Sequence, residues 1–252
     1  MAVSSGQTNL PDSTPPLVYT FPLLDTTVEF HWHQSNKASL MFLVIHDDEN
    51  TSSEVGFAQM KRFDASLVEM KNDGKYLFNL ISDSVSYLFN PNRIFCLNGI
   101  ENTLLQYGPC ADHVASGIHL FAQQVAGAFF LRPDFIVALH NNRNNGFSIN
   151  SYLTDSLLIS TVDSVFVNPE KDPDNFFYVN DPEHFTIIRR KGYNVVMQSE
   201  KPLYDDGSLS YWCHRMKIPY VNIEAEHGHH EEQICMLEDI YEIILLYIND
   251  LK

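Results

Sequence analysis

The sequence predicts an α/β protein with a mixed, mostly parallel central sheet and helices on both faces of that sheet. Two observations predict this fold class. Short, largely apolar runs recur along the chain, as in strands that are covered on both faces. Other segments repeat their apolar residues every three or four positions, as amphipathic helices do. Alternation of these two patterns is typical of a parallel or mixed sheet with flanking helices.

Six apolar runs are the predicted strands. They cover residues 40–46, 84–89, 135–140, 157–161, 194–198 and 219–224. In sheets of this kind, ligands gather at the carboxyl ends of the strands. Three of the runs end in a residue that can bind a metal or move a proton, namely His46, His140 and Glu224. These strand ends are therefore the first place to look for a functional site.

Two longer segments are predicted helices. Residues 111–130 place five apolar residues on one side: Val114, Ile118, Phe121, Val125 and Phe129. A C-terminal helix does the same with Ile234, Leu237, Tyr241, Ile244 and Ile248. A shorter helical stretch follows Gly207, and we assign its Tyr211 and Trp212 to the core.

Length and composition limit the class of protein. The 252 residues suit one domain, which we place at 18–252 after a Ser/Pro/Thr-rich flexible arm at 1–17. The net charge of −16, with scattered Lys and Arg, argues against nucleic acid or an anionic membrane as partner, because both require a clustered cationic surface. The four cysteines show no CxxC spacing and are expected to be free thiols.

The start of the chain bears on localisation. Its first twenty residues lack the basic region and apolar core of a secretory leader. No run of ~18 apolar residues predicts a membrane span. We therefore expect a cytoplasmic protein, or a periplasmic or secreted one if a leader has been removed.

The residues at the strand ends have the chemistry of a metal-dependent hydrolase. Catalytic zinc takes three protein ligands, and two His with one Glu is a known set. His46 and Glu49 are three residues apart, so one turn can bring both to an ion, and His140 supplies a third ligand from a distant strand. Glu224 is then the carboxylate that takes a proton from water. Arg143, three residues after His140, is a candidate partner for a substrate carboxylate.

The other histidines give weaker patterns. His229 and Glu232 repeat the H-x-x-E spacing in "EHGHHEEQ", which we interpret as a solvated polar loop before the last helix. The alternative is a second metal, or a substrate contact, at His227 or His229. His31 and His33 are predicted to lie on a half-exposed strand face. Structural roles are assigned to His113, His119, His184 and His214.

Several segments, in order along the chain, resemble those of the zinc carboxypeptidase family and its relatives, the aspartoacylases and succinylglutamate desuccinylases. They are "IHDDENTS", "NPNRIF", "ALHNNRNNGFSINSY" and "LYDDGSLSYWCHRMKIPYVNIEAE", and the resemblance covers residues 38–248. It implies a zinc carboxypeptidase-like, phosphorylase/hydrolase-like α/β fold, one zinc ion and hydrolysis of an amide bond beside a carboxylate.

The resemblance also implies a role for individual residues. It implies as zinc ligands His46, Glu49 and His140. Asn92 and Arg93 correspond to the pair that holds the substrate carboxylate. Tyr204 corresponds to the tyrosine that closes over the substrate, and Glu224 to the general base.

The chain departs from the family pattern at three points. Asn90 stands where the family often has Asp, so the support of the neighbouring arginine is expected to differ. Asp47 and Asp48 replace uncharged or basic residues between the ligands and are expected to add negative charge beside the metal. Glu226 lies two residues after Glu224, on the same face of a strand, and is a rival for the role of base.

The predicted function is zinc-dependent cleavage of an amide or peptide bond next to a substrate carboxylate, with one Zn²⁺ per chain or another divalent metal. The substrate is then a small peptide or an N-acyl amino acid. An N-acyl-amino-acid deacylase of the aspartoacylase type, and a catalytically inactive binding protein of the same fold, are the alternatives. A nucleotide-binding protein is disfavoured, because no GxGxxG or GKS/T segment follows a strand. The exact substrate, exo- or endo-cleavage and the oligomeric state are left open.

Overall fold

A mixed sheet of nine strands forms the centre of the protein, beside a separate two-stranded hairpin. The computed structural model describes residues 15–35, 39–144, 146–201 and 204–250. Its strands are β1 Leu17–Leu23, β2 Thr26–His33, β3 Leu40–Val44, β4 Ser66–Lys71, β5 Phe78–Ser82, β6 Val85–Phe89, β7 Phe135–Asn142, β8 Val162–Phe166, β9 Phe176–Val179, β10 Asn194–Gln198 and β11 Tyr220–Glu226.

The sheet has its parallel strands at the centre. The strand order is β1-β2-β4-β3-β7-β11-β9-β10-β8. Strands β4, β3, β7 and β11 run parallel to one another, as do β9 and β10. The remaining pairs, β1 with β2, β2 with β4, β11 with β9 and β10 with β8, are antiparallel. The predicted α/β fold with a mixed sheet is confirmed, and the ends of β3, β7 and β11 meet at one edge.

Helices cover both faces of this sheet, as predicted. They are α1 Asn50–Gln59, α2 Leu97–Tyr107, α3 Asp112–Val125, α4 Ser151–Thr154, α5 Ser156–Ile159, α6 Pro182–Arg190, α7 Leu209–Met216 and α8 His230–Asp250. One apolar layer joins the sheet to α2, α3 and α7. The opposite layer joins it to α6, α8 and the end of α1. Burial of these two apolar layers is the main favourable contribution to folding.

Five of the six predicted strand segments contain a strand, and 157–161 is wrong. Those residues form α5 and the turn before β8. The cause is the Asp155 carboxylate, which accepts hydrogen bonds from the N–H groups of Leu157 and Leu158 and so caps a helical turn. The apolar run therefore lies on a mostly exposed helix, with β8 beginning one residue after the run ends.

The predicted strand at 84–89 forms as β6, but it is not a central strand. It pairs with β5 in the two-stranded sheet. Asp83 and Ser84 connect the two strands with φ values of 50° and 63°. A two-residue loop with positive φ at both positions matches the twist of a hairpin, so the chain turns back locally and does not cross to the large sheet.

Both long predicted helices are confirmed. All five residues of the 111–130 pattern are buried, and α3 continues into one π-helical turn over Ala126–Phe130. In α8, the predicted Leu237 and Ile244 are buried, whereas Ile234 and Tyr241 are half-buried. The side chain of Ile248 lies outside the described residues. In α7, Tyr211 is buried and Trp212 packs against Phe95 and Phe130.

The division at residue 17 stays a prediction. Residues 1–14 lie outside the described residues, and β1 already begins at Leu17. All four cysteines are free. Among the described helices, none combines the length and apolar character needed to cross a bilayer.

Candidate metal centre

Three buried side chains meet at the edge of the sheet where β3 and β7 end. His46 follows β3, Glu49 immediately precedes α1, and His140 lies in β7. Their ligand atoms lie within 4.8 Å of one another. Nδ1 of His46 is 3.0 Å from Oε1 of Glu49, and Nδ1 of His140 is 3.0 Å from Oε2. The structure thus brings together residues that are 94 positions apart in the chain.

Sheet register explains why these residues converge. Leu43 of β3 lies beside Ala138 of β7 in parallel register, so the residues that follow both positions leave the sheet at the same edge. A turn then closes with a 3.3 Å hydrogen bond from the Glu49 N–H to the His46 carbonyl oxygen. Because α1 starts directly after this turn, the Glu49 side chain is held next to the two imidazoles.

The Glu49 carboxylate and the His140 imidazole stabilise each other's charged forms. Burial raises the pKa of Glu49, but the nearby histidines outweigh it and lower this pKa to about 2. Burial likewise lowers the pKa of His140, but the Glu49 carboxylate outweighs it and raises this pKa to about 9. The Glu49 carboxylate therefore stays ionised in a buried position, and a divalent cation bound here would displace the proton of His140.

The donor set fits a divalent metal. The two Nδ1 atoms of His46 and His140 face each other at 3.3 Å, and each lies 3.0 Å from one oxygen of the buried Glu49 carboxylate. Two imidazoles and one carboxylate are the ligands of a known zinc set, which leaves a coordination position open. A cation between these atoms would bind the carboxylate and separate the two nitrogens.

Asn90 sets the tautomer of His46. Its Oδ1 accepts a 2.8 Å hydrogen bond from the Asn92 N–H, which identifies this atom as the oxygen. Nε2 of His46 lies 2.9 Å from the same oxygen, so it must carry the proton. Nδ1 is the ring nitrogen that faces Glu49 and His140, and it would supply its lone pair to a metal held there. A partner that fixes the outer nitrogen is what a metal-binding histidine requires.

Glu224 lies next to this group on the neighbouring strand. It is in register with His140 across the β11–β7 pair, and it is buried. Burial, and then the charge of Glu49, raise its pKa above the ordinary value, although His140 opposes them. Nδ2 of Asn222 donates a 3.0 Å hydrogen bond to Oε1 of Glu224 and fixes the carboxyl group. Such a group is suited to accept a proton near neutral pH.

A cavity of about 510 Å³ opens above these residues. Its walls include His46, Glu49, His140 and Glu224, together with three predicted substrate residues, Asn92, Arg93 and Arg143. Glu226 does not line it. That side chain turns instead towards Asn144 and His229, so the geometry favours Glu224 as the carboxylate at the site.

Arg93 is held by contacts to Asp206 and to the backbone of Asn92. Its Nε lies 3.4 Å from Oδ2 of Asp206, and its Nη1 donates a 2.8 Å hydrogen bond to the Asn92 carbonyl oxygen. The side-chain oxygen of Asn92 accepts a 3.1 Å hydrogen bond from the Leu209 N–H. Asn90 thus contacts His46, and Asp206 holds Arg93.

Tyr204 is not brought to the cavity. Its side chain lies near Asp206 and Cys96 and is hydrogen-bonded to Asn102. The two residues before it, 202–203, lie outside the described residues. A role for Tyr204 over a substrate stays a prediction.

Tyr76 is a cavity residue that sequence reasoning missed. Its ring stacks on His46 with 4.1 Å between ring centroids, and its hydroxyl accepts a 3.0 Å hydrogen bond from Nδ2 of Asn90. Asp47 explains the position of this tyrosine, because it turns away from the metal group and binds the loop that precedes Tyr76. It accepts hydrogen bonds of 2.7 and 2.8 Å from the N–H groups of Asn72 and Gly74. Of the two acids between the ligands, only Asp48 lines the cavity.

The second H-x-x-E copy is split by the start of α8. His229 lies 3.7 Å from Glu226 and forms, with Asp172, a second group whose ligand atoms lie within 4.8 Å of one another. Its members are exposed or half-buried, unlike those of the first group. His227 contacts Thr51 at 3.5 Å.

His31 and His33 lie on β2 and are half-buried, as predicted.

Comparisons with known proteins identify the fold. No protein family matches the sequence, and neither does any curated protein. The solved structure of thrombin activatable fibrinolysis inhibitor matches with a TM-score of 0.50 at 8% identity, over 92% of this chain and 72% of that one. This likeness confirms the carboxypeptidase-like α/β fold that the sequence predicts.

Two further solved structures match less closely. Succinylglutamate desuccinylase/aspartoacylase from Rhodobacter sphaeroides has a TM-score of 0.46 at 9% identity, over 95% of this chain and 68% of that one. Murein-tripeptide amidase MpaA from Escherichia coli O157 has a TM-score of 0.44 at 13% identity, over 98% and 97%.

Proposed function

We propose that the protein is a metal-dependent hydrolase that cleaves an amide or peptide bond next to a substrate carboxylate. The observation that supports this proposal is the buried group of His46, Glu49 and His140, which shares one cavity with Glu224 and Arg93. Each of these residue types has a distinct part in amide hydrolysis, and all of them line the same cavity.

A divalent ion, zinc by the donor set, would be held by His46, Glu49 and His140. Such an ion supplies a Lewis acid that polarises a carbonyl group and makes water more acidic. Asn90 keeps the outer nitrogen of His46 protonated, and thereby keeps Nδ1 available. The negative charge of Glu49 completes the attraction for the cation.

Glu224 would move the proton. Its pKa is raised by burial and by Glu49, so its basicity lies closer to that required for general base catalysis near neutral pH. The carboxylate would take a proton from the attacking water and return it to the nitrogen of the leaving amine. Asn222 holds one carboxylate oxygen, which leaves the other for this proton transfer.

Arg93 and Asn92 would bind the substrate carboxylate. A guanidinium group matches a carboxylate in a bidentate arrangement, and an amide N–H adds a further donor. Asp206 and the Asn92 carbonyl oxygen fix the arginine before substrate arrives. Arg143 is exposed at the cavity and would serve as a second cation for an anionic substrate.

The cavity size suits a small substrate. About 510 Å³ falls within the range of small-molecule pockets, which is roughly 300–1,000 Å³. A short peptide and an N-acyl amino acid both fit this limit. Peptidase and deacylase functions thus share the same site chemistry and differ in the group on the acyl side of the bond.

The test is hydrolysis of short peptides and N-acyl amino acids by the metal-loaded protein and by its Glu224→Gln variant. We expect kcat to fall by roughly 10²- to 10⁴-fold with unchanged metal content, since the base is lost and the ligands are kept. Glu226→Gln, which removes the nearby carboxylate outside the cavity, is the matched control and should retain activity. A wild-type protein that binds metal and these compounds but turns none over would be a binding protein of this fold.

A further inference from the structure

We propose that Asp48 binds a positively charged amino group on the acyl side of the scissile bond, so that the substrate is a small peptide with a free amino group. This inference rests on the proposed function, because it concerns the same cavity. It distinguishes small peptides from N-acyl amino acids, two substrate classes that the chemistry of the site supports equally well.

Asp48 has a carboxylate oxygen without a partner. The residue lines the cavity between His46 and Glu49, and its Oδ1 is buried with no hydrogen-bond partner among the described residues. A buried acceptor that is left unpaired is unfavourable, and more so when it is charged. Oδ1 of Asp48 is therefore suited to accept a hydrogen bond from a ligand.

A comparison with Asp47 shows that an unpaired carboxylate oxygen is not a general property of this loop. Asp47 has the same side chain and accepts hydrogen bonds from Asn72, Gly74 and Lys71. Asp48 instead faces the cavity, and it does not belong to the group of three metal-ligand residues. Two neighbouring carboxylates thus have different surroundings, and only the one in the cavity keeps an unpaired oxygen.

The Asp48 carboxylate has no cationic side chain as an ion-pair partner among the described residues. Arg143 is exposed, and within the described ranges no lysine or arginine lies within 4.0 Å of the Asp48 carboxylate. An ammonium group placed here would donate a charge-assisted hydrogen bond to Oδ1 of Asp48.

The position of Asp48 fits the acyl side of a substrate. The substrate carboxylate is assigned to Arg93, whose ion-pair partner is Asp206 and not Asp48. The scissile carbonyl then lies at His46, Glu49 and His140, and the rest of the substrate extends past Asp48. In an unblocked dipeptide the α-ammonium group occupies that position. A succinyl group would place a carboxylate there, where Asp48 repels it.

The test compares two ligands that differ only in the ammonium group, alanyl-alanine and propionyl-alanine. Their affinities are measured by calorimetry on metal-loaded protein carrying Glu224→Gln, which prevents turnover. Asp48→Asn and Asp48→Ala are added to this background. Asp73→Asn is the matched control, because it removes one acid from an exposed side chain in the loop before Tyr76. Metal content is measured for every variant.

We expect alanyl-alanine to bind at least ~10-fold more tightly than propionyl-alanine, a typical gain for a hydrogen bond to a charged group. Both Asp48 substitutions should bring the ratio to near one without weakening propionyl-alanine, and Asp73→Asn should preserve it. The proposal would be overturned if the Glu224→Gln protein bound both ligands equally or bound neither. It would also be overturned if the affinity ratio persisted in the Asp48 variants, or if those variants lost the metal.

The proposed function fails separately from this inference. If the wild-type protein binds alanyl-alanine more tightly but hydrolyses neither ligand, the ammonium site is supported and the proposed hydrolase activity is contradicted. If the protein hydrolyses both ligands with equal kcat/KM, the hydrolase activity is supported and the ammonium site is contradicted.

Discussion

Asn90 lies outside the group of His46, Glu49 and His140, but it fixes the protonation of one His46 nitrogen. Its oxygen accepts hydrogen bonds from Nε2 of His46 and from the Asn92 N–H, while its nitrogen donates to the Tyr76 hydroxyl. Each of its three contacts reaches a residue that lines the cavity. One buried amide thus sets the tautomer of a ligand and the position of the ring stacked on it.

Replacing Asn90 with Ala should weaken metal binding by roughly 10- to 100-fold, as loss of such an outer partner usually does. The reason is that Nε2 of His46 would lose the acceptor that keeps its proton in place. The measurement is a competition titration against a chelator. Asn102→Ala, which removes an exposed amide on α2, is the control. Unchanged affinity in Asn90→Ala would contradict this role.

Some residues of the site could be predicted from sequence and others could not. His46, His140 and Glu224 were found because each ends an apolar run, and Glu49 because of its spacing from His46. Tyr76 gave no such signal. It reaches the site only because Asp47 binds the loop before it, a contact between residues 25 and 27 positions apart. Contacts of this kind depend on tertiary structure and have no local pattern.

At the scale of elements, a chain of charged side chains connects two strands to the loop that carries Tyr76. Nε2 of His33 on β2 lies 3.1 Å from Oε2 of Glu69 on β4. Nζ of Lys71 lies 3.3 Å from the other oxygen of Glu69 and 3.1 Å from Oδ1 of Asp47. The antiparallel β2–β4 pair is thus joined to the segment between His46 and Glu49.

This network predicts a loss of stability in acid. Burial raises the pKa of Glu69, but the hydrogen bond from His33 and the charge of Lys71 outweigh it and lower the pKa from 4.5 to about 2. A lowered folded-state pKa stabilises the protein above pH 4.5, and that contribution is lost as the pH falls towards 2. The loss is on the order of 3 kcal/mol, at about 1.4 kcal/mol per pKa unit.

The measurement is urea unfolding of wild-type and Glu69→Gln protein between pH 6 and 3. Wild type should be the more stable at pH 6, and the difference should shrink as the pH falls. The same comparison with Glu238→Gln, which removes the partner of Arg62 at the surface, should show little change at any pH. A constant difference for Glu69→Gln would show that Glu69 acts through packing and not through its charge.

The prediction of elements succeeded where hydrophobic pattern and tertiary burial agree. The central strands and both long helices carry apolar residues that the fold buries on one or both faces. It failed at 157–161, because the hydrogen bonds from Leu157 and Leu158 to Asp155 stabilise a helical turn irrespective of the apolar run. It placed 84–89 in the wrong sheet, because a local turn at Asp83 and Ser84 overrode the tendency of an apolar strand to join the core.

For the whole molecule, strand order is what creates the site. β3, β7 and β11 are adjacent and parallel, although they come from the start, middle and end of the chain. Their carboxyl ends deliver His46, His140 and Glu224 to one cavity. The sequence showed these ends, but it did not show that the strands are neighbours. The strand order of the structure shows that they are neighbours. The resemblance of several segments to a known family implied the fold, and the structure confirms that fold.

The distribution of charge complements this arrangement. The chain has a net charge of −16, yet two of its arginines, Arg93 and Arg143, line the cavity. A small anionic group that enters the cavity therefore meets cations in an otherwise acidic protein. Asp48 adds a negative group in the same space, which suits a substrate that carries both charges.

The most direct test of the central claim is the metal content of the untagged protein, measured by elemental analysis beside His46→Ala and His140→Ala. We expect about one zinc or other divalent ion per chain in the wild type and none in either variant, because each removes one of three ligands. His113→Ala, which removes an exposed histidine far from the group in sequence, should retain the ion. A wild-type protein that takes up no metal when zinc is added, or an ion that both variants retain, would contradict the claim that two distant strand ends share one metal.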